Sequence, residues 1–143
     1  MSAGWLLIVI GLAPLVFALV AGGREERFFV AVQAASAMGE HTAVRFGQSI
    51  ATAVLIDLVV LAAVIPLALR THKAWPLFAA SLCVAGLMTE GAQMLVHASY
   101  TAYAIIQGTW DLLANLVVAV GAWNVWRVRR EAASLQMQTP DPS

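Results

Sequence analysis

The sequence predicts an all-α integral membrane protein, a four-transmembrane-helix bundle with a possible interfacial helix between spans one and two. Three observations predict this fold class. Of the 143 residues, 61% are hydrophobic and only 11% are charged, whereas a soluble domain carries about 25% charged residues. Four apolar runs reach the length of about 20 residues that a helix needs to cross a bilayer. Charged or turn-forming residues stand at the ends of these runs.

The four predicted spans cover residues of about 3–21, 46–69, 75–97 and 102–126, within a transmembrane domain of residues 1–130. Span one carries no charge and ends at Gly22 and Gly23. A signal peptide begins with basic residues and has a shorter apolar core, so we expect a retained helix here. Span two lies between Arg45 and Arg70.

Spans three and four are predicted to form an antiparallel hairpin. Span three opens with Trp75 and Pro76, and proline suits the first turn of a helix. Span four begins only a few residues after span three ends, and it stops at Arg127. Such a short connection makes the two helices antiparallel neighbours.

Two segments are too polar to cross a membrane. The connector of residues 22–45 carries several charges, yet it also contains the apolar run Phe28-Phe29-Val30 and no proline. It is predicted either as a helix lying along the membrane interface or, equally, as a folded connector packed on the helix ends. Residues 131–143 are polar and contain two prolines near their end, which predicts a disordered tail.

An even number of spans would place both termini and the turn after span two on one side of the membrane. That side would hold five basic residues, Arg70, Lys73, Arg127, Arg129 and Arg130, and the other side Arg24, Arg27 and Arg45. Basic residues concentrate on the cytoplasmic side of membrane proteins. The sequence therefore predicts the cytoplasmic (inner) membrane of a bacterium, with both termini cytoplasmic.

Three acidic residues interrupt the predicted spans: Asp57 in span two, Glu90 in span three and Asp111 in span four. Insertion scales assign a cost of about 2.5–3.5 kcal/mol to an aspartate at a helix centre. Each of these acids is therefore expected to have a functional or structural role. No lysine or arginine lies within the spans to neutralise them. Carboxylates close together in a medium of low dielectric cannot all ionise, so such a group can carry a proton.

Helical spacing groups other polar residues with two of these acids. Glu90, Gln93 and His97 share one face of span three, and Gln107, Asp111 and Asn115 share one face of span four. Lipid disfavours such faces, so both are expected to turn inward and to form one layer with Asp57. His97 stands near the outer end of its stripe and is expected to relay protons to water.

A purely structural interpretation of the same residues has equal weight. Amide and protonated carboxyl groups join transmembrane helices through hydrogen bonds of about 0.6–2 kcal/mol, and glycines such as Gly86 and Gly108 let backbones approach. Cys83 is the only cysteine and is expected to be a packing residue. A single cysteine leaves no cysteine-based zinc site, and no metal site is predicted.

The composition excludes a nucleic-acid-binding protein and a conventional soluble enzyme, and it makes the lipid bilayer the first partner. The leading hypothesis is a homo-oligomeric, proton-coupled transporter or ion pathway. Its predicted substrate-binding or proton-binding residues are Asp57, Glu90, Gln93, His97, Gln107, Asp111 and Asn115.

Two other hypotheses remain open. The protein could be an accessory or assembly subunit whose polar stripes meet partner membrane subunits. It could also be a haem-binding or quinone-binding bundle, although haem b usually needs two axial ligands and only His97 is in or near a span. No catalytic motif is found, so we expect no enzyme, and no cofactor is predicted.

Overall fold

The structure, a computed structural model, describes residues 3–45, 50–96 and 100–138. Within these ranges the chain is all-helical and contains no strand, which confirms the predicted fold class in its coarse form. The five helices are α1 (Ala3–Ala21), α2 (Arg24–Arg45), α3 (Ile50–Arg70), α4 (Trp75–Val96) and α5 (Tyr100–Gln138).

Three helical segments among the described residues are long and apolar enough to cross a membrane: Ala51–Arg70, Trp75–Val96 and Ile105–Gln136. A fourth apolar segment, Ile10–Ala21 of α1, is shorter. The described residues thus contain three candidate membrane spans where the sequence predicts four. Residues 46–49, at the start of predicted span two, and residue 97, at the end of span three, lie outside the described ranges.

The helices α1 and α5 run side by side in the same direction. Near the start of the shared stretch, the amide nitrogen of Asn115 lies 3.5 Å from the carbonyl oxygen of Gly11. Further along both helices, the rings of Phe17 and Trp123 lie 6.3 Å apart. The beginning of α1 and the end of α5 therefore lie at opposite ends of the bundle, whereas a four-span arrangement would bring them to the same end.

The helix α2 does not lie across the ends of its neighbours, as an interfacial helix or an end-packed connector would. It runs antiparallel along α3, with Glu26 against Lys73 just beyond the end of α3. Thirteen residues later, a Cβ on Gly39 would lie 3.3 Å from Ile56 in the middle of α3. Thirteen helical residues correspond to about 20 Å. The connector is therefore a fifth helix of the bundle, which corrects the sequence-based expectation.

Two carboxyl oxygens of Glu26 hold one end of the bundle together. Its side chain is fully buried. One oxygen accepts hydrogen bonds from Lys73 Nζ and from Trp75 Nε1, both at 2.9 Å. The other accepts the backbone N–H of Gly23 at 2.8 Å, which caps the start of α2. The α1–α2 junction and the α3–α4 turn are thereby joined at what we call the Trp75 end.

Charge pairing at this end fixes the ionised forms of Glu26 and Lys73. Burial alone would raise the pKa of Glu26, but hydrogen bonds from Lys73 and from backbone amides hold that pKa below its ordinary value of 4.5. Burial alone would lower the pKa of Lys73, but hydrogen bonds to Glu25 and Glu26 outweigh burial and raise it. Both groups are therefore charged at neutral pH.

The indole of Trp75 extends this junction to α5. It packs edge-on against Phe29 of α2, with ring centroids 5.6 Å apart. On its other side it covers Gly121, where an added Cβ would overlap the indole ring. Small and branched buried side chains continue the core from here along the helices, including Ala18, Val64, Ala79 and Val118. The Trp75 end therefore depends on a glycine at position 121.

The last helix is longer than predicted. It has 39 residues and continues to Gln138, so residues 131–138 are helical, contrary to the expected disorder. Glu131 accepts a hydrogen bond of 2.8 Å from Arg127 one turn earlier, and such pairs stabilise exposed helices. The alanines and leucine that follow Glu131 also favour a helix. The rest of the predicted tail, residues 139–143, lies outside the described ranges.

The contact between Trp75 and Gly121 predicts the effect of a single methyl group. Gly121→Ala should lower the free energy of unfolding by about 1–3 kcal/mol, because overpacking forces the indole or the backbone to move. Gly108→Ala, in the same helix, is the matched control, since nothing lies within 4 Å of its added Cβ. That control should be neutral or slightly stabilising. Thermal unfolding in detergent, followed by circular dichroism, measures both, and equal midpoints for the two variants would contradict the packing.

The buried Glu26 carboxylate predicts a pH-dependent contribution to stability. Glu26→Gln should cost about 1.5–3 kcal/mol at pH 7, the range for hydrogen bonds to charged groups. A carboxylate with a lowered pKa stabilises the fold above its ordinary value of 4.5, and this stabilisation is lost as the pH falls below that value. The difference in unfolding midpoint between wild type and Glu26→Gln should therefore shrink in acid. A difference that stays constant from pH 7 to pH 3 would show that the charge is unimportant. Glu131→Gln serves as the control on the exposed part of α5.

Candidate functional site

Two adjoining cavities are lined by several of the polar residues in the bundle interior. The inner cavity, among α2 to α5, has a volume of about 20 Å³, which accommodates about one water molecule. The outer groove, between α1, α2 and α5, has a volume of about 330 Å³. Gln33 of α2 and Asp111 of α5 line both spaces. The two cavities therefore adjoin each other at Gln33 and Asp111.

The inner cavity is built around a contact between α3 and α5. Gln107 donates a hydrogen bond from Nε2 to Asp57 Oδ2 at 3.2 Å. Gly86 of α4 permits this approach, since a Cβ there would lie 3.3 Å from Gln107 Nε2. The side-chain oxygen of Gln107 is buried without a hydrogen-bond partner. Cys83 also lines the cavity, close to Asp57 and Asp111.

Glu90 occupies a separate buried position between α4 and α5. It is 1% exposed and accepts a hydrogen bond from the hydroxyl of Tyr103 at 3.1 Å. Its second oxygen is buried and has no hydrogen-bond partner. Nearby, Trp110 Nε1 donates to the Thr89 hydroxyl at 2.9 Å, which ties the same two helices together. The predicted residue Gln93 lies one turn further along α4 and is half-buried.

Asp111 and Asn115 face the outer groove from one side of α5. Asn115 is only 9% exposed. Its amide nitrogen reaches Gly11 at the limit of hydrogen bonding, 3.5 Å, while its amide oxygen is buried without a donor. Asp111 is the most accessible of the three predicted acids and is open to the groove.

A fourth acid, Glu40 of α2, belongs to the groove but is absent from the predicted site. It is half-buried and accepts a hydrogen bond of 3.2 Å from the hydroxyl of Ser36. The interfacial interpretation of residues 22–45 left Glu40 out of the predicted site, because an interfacial helix turns its polar face to water. The available signal was the spacing of Gln33, Ser36 and Glu40, which places all three on one face of a helix.

The predicted single layer of acids is only partly realised. Asp57, Gln107 and Asp111 share the inner cavity, and Asp111 and Asn115 share the groove. Glu90 lines neither cavity. The predicted relay residue, His97, lies outside the described ranges. The predicted acids therefore do not form one contact cluster.

The lining residues determine what chemistry this region supports. No lysine, arginine or histidine lines either cavity among the described residues. Within the same ranges, no three histidine, cysteine, aspartate or glutamate side chains come close enough together to hold a metal ion. Neighbouring carboxylates without a counter-charge favour bound protons or an organic cation. No protein-family model matches the chain, and searches of curated proteins and of solved structures give no match.

Proposed function

We propose that the protein is a membrane-embedded carrier of protons or small cations, with Asp57, Glu90 and Asp111 holding the moving charge. One observation carries the proposal: acidic side chains line two adjoining cavities that contain no basic side chain among the described residues. Ionisable residues inside a membrane face a protein interior or a cavity and mark ion or proton pathways. The unpartnered oxygens of Gln107 and Asn115 add acceptor positions along the same region.

The proposal includes a bundle in which α2 lies parallel to the membrane-crossing helices. Its stretch of residues 28–44 contains no lysine or arginine and has arginines at both ends, Arg27 and Arg45. The exposed face is apolar, with Phe28 47% and Met38 72% exposed, while Gln33 and Glu40 face the groove. An apolar outside and a polar inside suit a helix surrounded by lipid.

The distribution of basic residues supports one orientation of such a bundle. Seven of the eight basic residues then lie at or beyond the Trp75 end: Arg24, Arg27, Arg70, Lys73, Arg127, Arg129 and Arg130. Only Arg45 lies at the other end. The positive-inside rule assigns the Trp75 end to the cytoplasm of a bacterial inner membrane. The C-terminal end of α5 is then cytoplasmic and the start of α1 is on the opposite side.

A homo-oligomer is part of the same proposal. The rim of the groove carries Leu12, which is 52% exposed, and Ala37, which is also exposed. A second copy packed on this rim would close the groove towards lipid. Closure by another subunit would separate a conducting pathway from the hydrocarbon region.

A second candidate function is that of an accessory subunit in a larger membrane complex. An apolar groove of about 750 Å³ between α4 and α5 favours it. Phe78, Leu113 and Val120 line this groove, and an apolar helix of a partner would cover them. A stoichiometric partner that remains bound through purification in mild detergent would support this function over transport.

Proton flux through the purified protein tests the main proposal. In liposomes under a pH gradient, wild type should dissipate the gradient faster than protein-free liposomes. Asp57→Asn and Asp111→Asn should each reduce this flux by about tenfold or more, since an amide cannot take up and release a proton as a carboxyl does. Glu131→Gln, an acid outside the cavities, should retain the wild-type rate. Equal rates for wild type and protein-free liposomes would refute the transport proposal.

Epitope tags at the two ends of the chain test the orientation. A C-terminal tag should resist protease in intact spheroplasts, and an N-terminal tag should be cleaved, because the helices α1 and α5 run in one direction. A tag inserted at His72, in the turn between α3 and α4, should behave like the C-terminal tag. Protection of both terminal tags in spheroplasts would contradict a bundle in which α2 crosses the membrane.

A further inference from the structure

The groove between α1, α2 and α5 brings two carboxylates to one space. Glu40 reaches it from α2 and Asp111 from α5, and no basic side chain lines it among the described residues. Its volume of about 330 Å³ falls at the lower end of the range for small-molecule sites, about 300–1,000 Å³. The space therefore suits a compact ligand with a positive charge.

Asn115 supplies an independent indication of a ligand. More than nine-tenths of its surface is buried, and it lines the groove. Its side-chain oxygen has no donor, and a buried acceptor left without a donor costs about 1–3 kcal/mol. A ligand with an N–H or O–H group would satisfy this oxygen. The site thus favours a ligand that has a hydrogen-bond donor as well as a positive charge.

The remaining walls of the groove are apolar. Leu12 and Leu15 of α1 and Ala37 of α2 lie beside the carboxylates. Apolar side chains do not coordinate a bare metal ion, and the described acids do not form a set of three metal ligands. A short alkyl chain attached to the charged group would gain about 25 cal/mol for each Å² of apolar surface that it buries. The lining favours an organic cation over a metal ion.

We propose that this groove binds a compact organic amine in its protonated form. The ammonium group lies between the carboxylates of Glu40 and Asp111 and donates one N–H to the side-chain oxygen of Asn115. The alkyl part lies against Leu12 and Leu15. This assignment rests on the proposed carrier function and gives it a substrate class.

Ligand binding to the purified protein in detergent tests the assignment without requiring transport. The probes are n-propylammonium, which has N–H donors, and tetramethylammonium, which has the same charge and none. Ligand-observed saturation-transfer NMR with a concentration series gives the dissociation constants. Wild type should bind n-propylammonium about tenfold or more tightly than tetramethylammonium, since only the former satisfies the buried acceptor. Equal affinity for the two probes would overturn the proposal.

Variants of the lining residues sharpen this test. Glu40→Gln and Asp111→Asn should each weaken n-propylammonium binding by about tenfold, a loss of about 1.4 kcal/mol, while Glu131→Gln should bind as wild type does. Asn115→Leu should remove the preference for n-propylammonium over tetramethylammonium. Each variant is compared only if its elution volume and unfolding midpoint match those of wild type. Unchanged binding in correctly folded Glu40→Gln and Asp111→Asn would overturn the proposal.

The outcomes separate this proposal from the proposed function. Proton flux in liposomes without measurable amine binding would refute the amine site and leave the carrier function standing. Amine binding without proton or amine flux would uphold the site and refute the carrier function. Binding together with flux that both carboxylate variants reduce would support the two together.

Discussion

The bundle depends on the buried carboxylate of Glu26. Its oxygens join three parts of the chain: the Gly23 amide before α2, the Lys73 ammonium in the α3–α4 turn and the Trp75 indole at the start of α4. A carboxylate removed from water needs charged or N–H partners, and here all of its partners lie at one end of the bundle. Because these contacts place the start of α2 beside the end of α3, the following 22-residue helix continues along the bundle.

That placement determines the character of the interior. With α2 in the bundle, Glu40 and Gln33 face the residues that α5 contributes, and between residues 28 and 38 the exposed side chains of α2 are those of phenylalanine, alanines and methionine. A soluble helical bundle has the reverse arrangement, with apolar side chains inside. The core accordingly divides into an apolar part near Trp75 and a polar part around Asp57 and Asp111. The polar part gives the protein its proposed chemistry.

Much of the fold follows from local sequence features, and the errors share one physical cause. Apolar runs bounded by arginine or Trp-Pro locate α1, α3 and α4 well, since helix length and lipid solubility act locally. Helical spacing correctly pairs Asp111 with Asn115 on one face. The sequence does not show that Glu26 meets Lys73, 47 residues away, so it predicts the polar segment of residues 22–45 either at the membrane interface or packed on the helix ends. From that expectation came the reversed direction of α1 and the omission of Glu40.

The last helix has a mechanical consequence. Beyond Arg130, which stacks on Trp126 at 4.5 Å, eight further residues remain helical as far as the end of α5, and residues 131–136 are exposed. They extend about 12 Å past the arginines. A flexible tail would let a bound molecule sample a wide volume, whereas a continuous helix fixes both distance and direction. A molecule bound to this segment is therefore held at a fixed distance and direction from the bundle, and a rotation of α5 within the bundle would move that molecule with it.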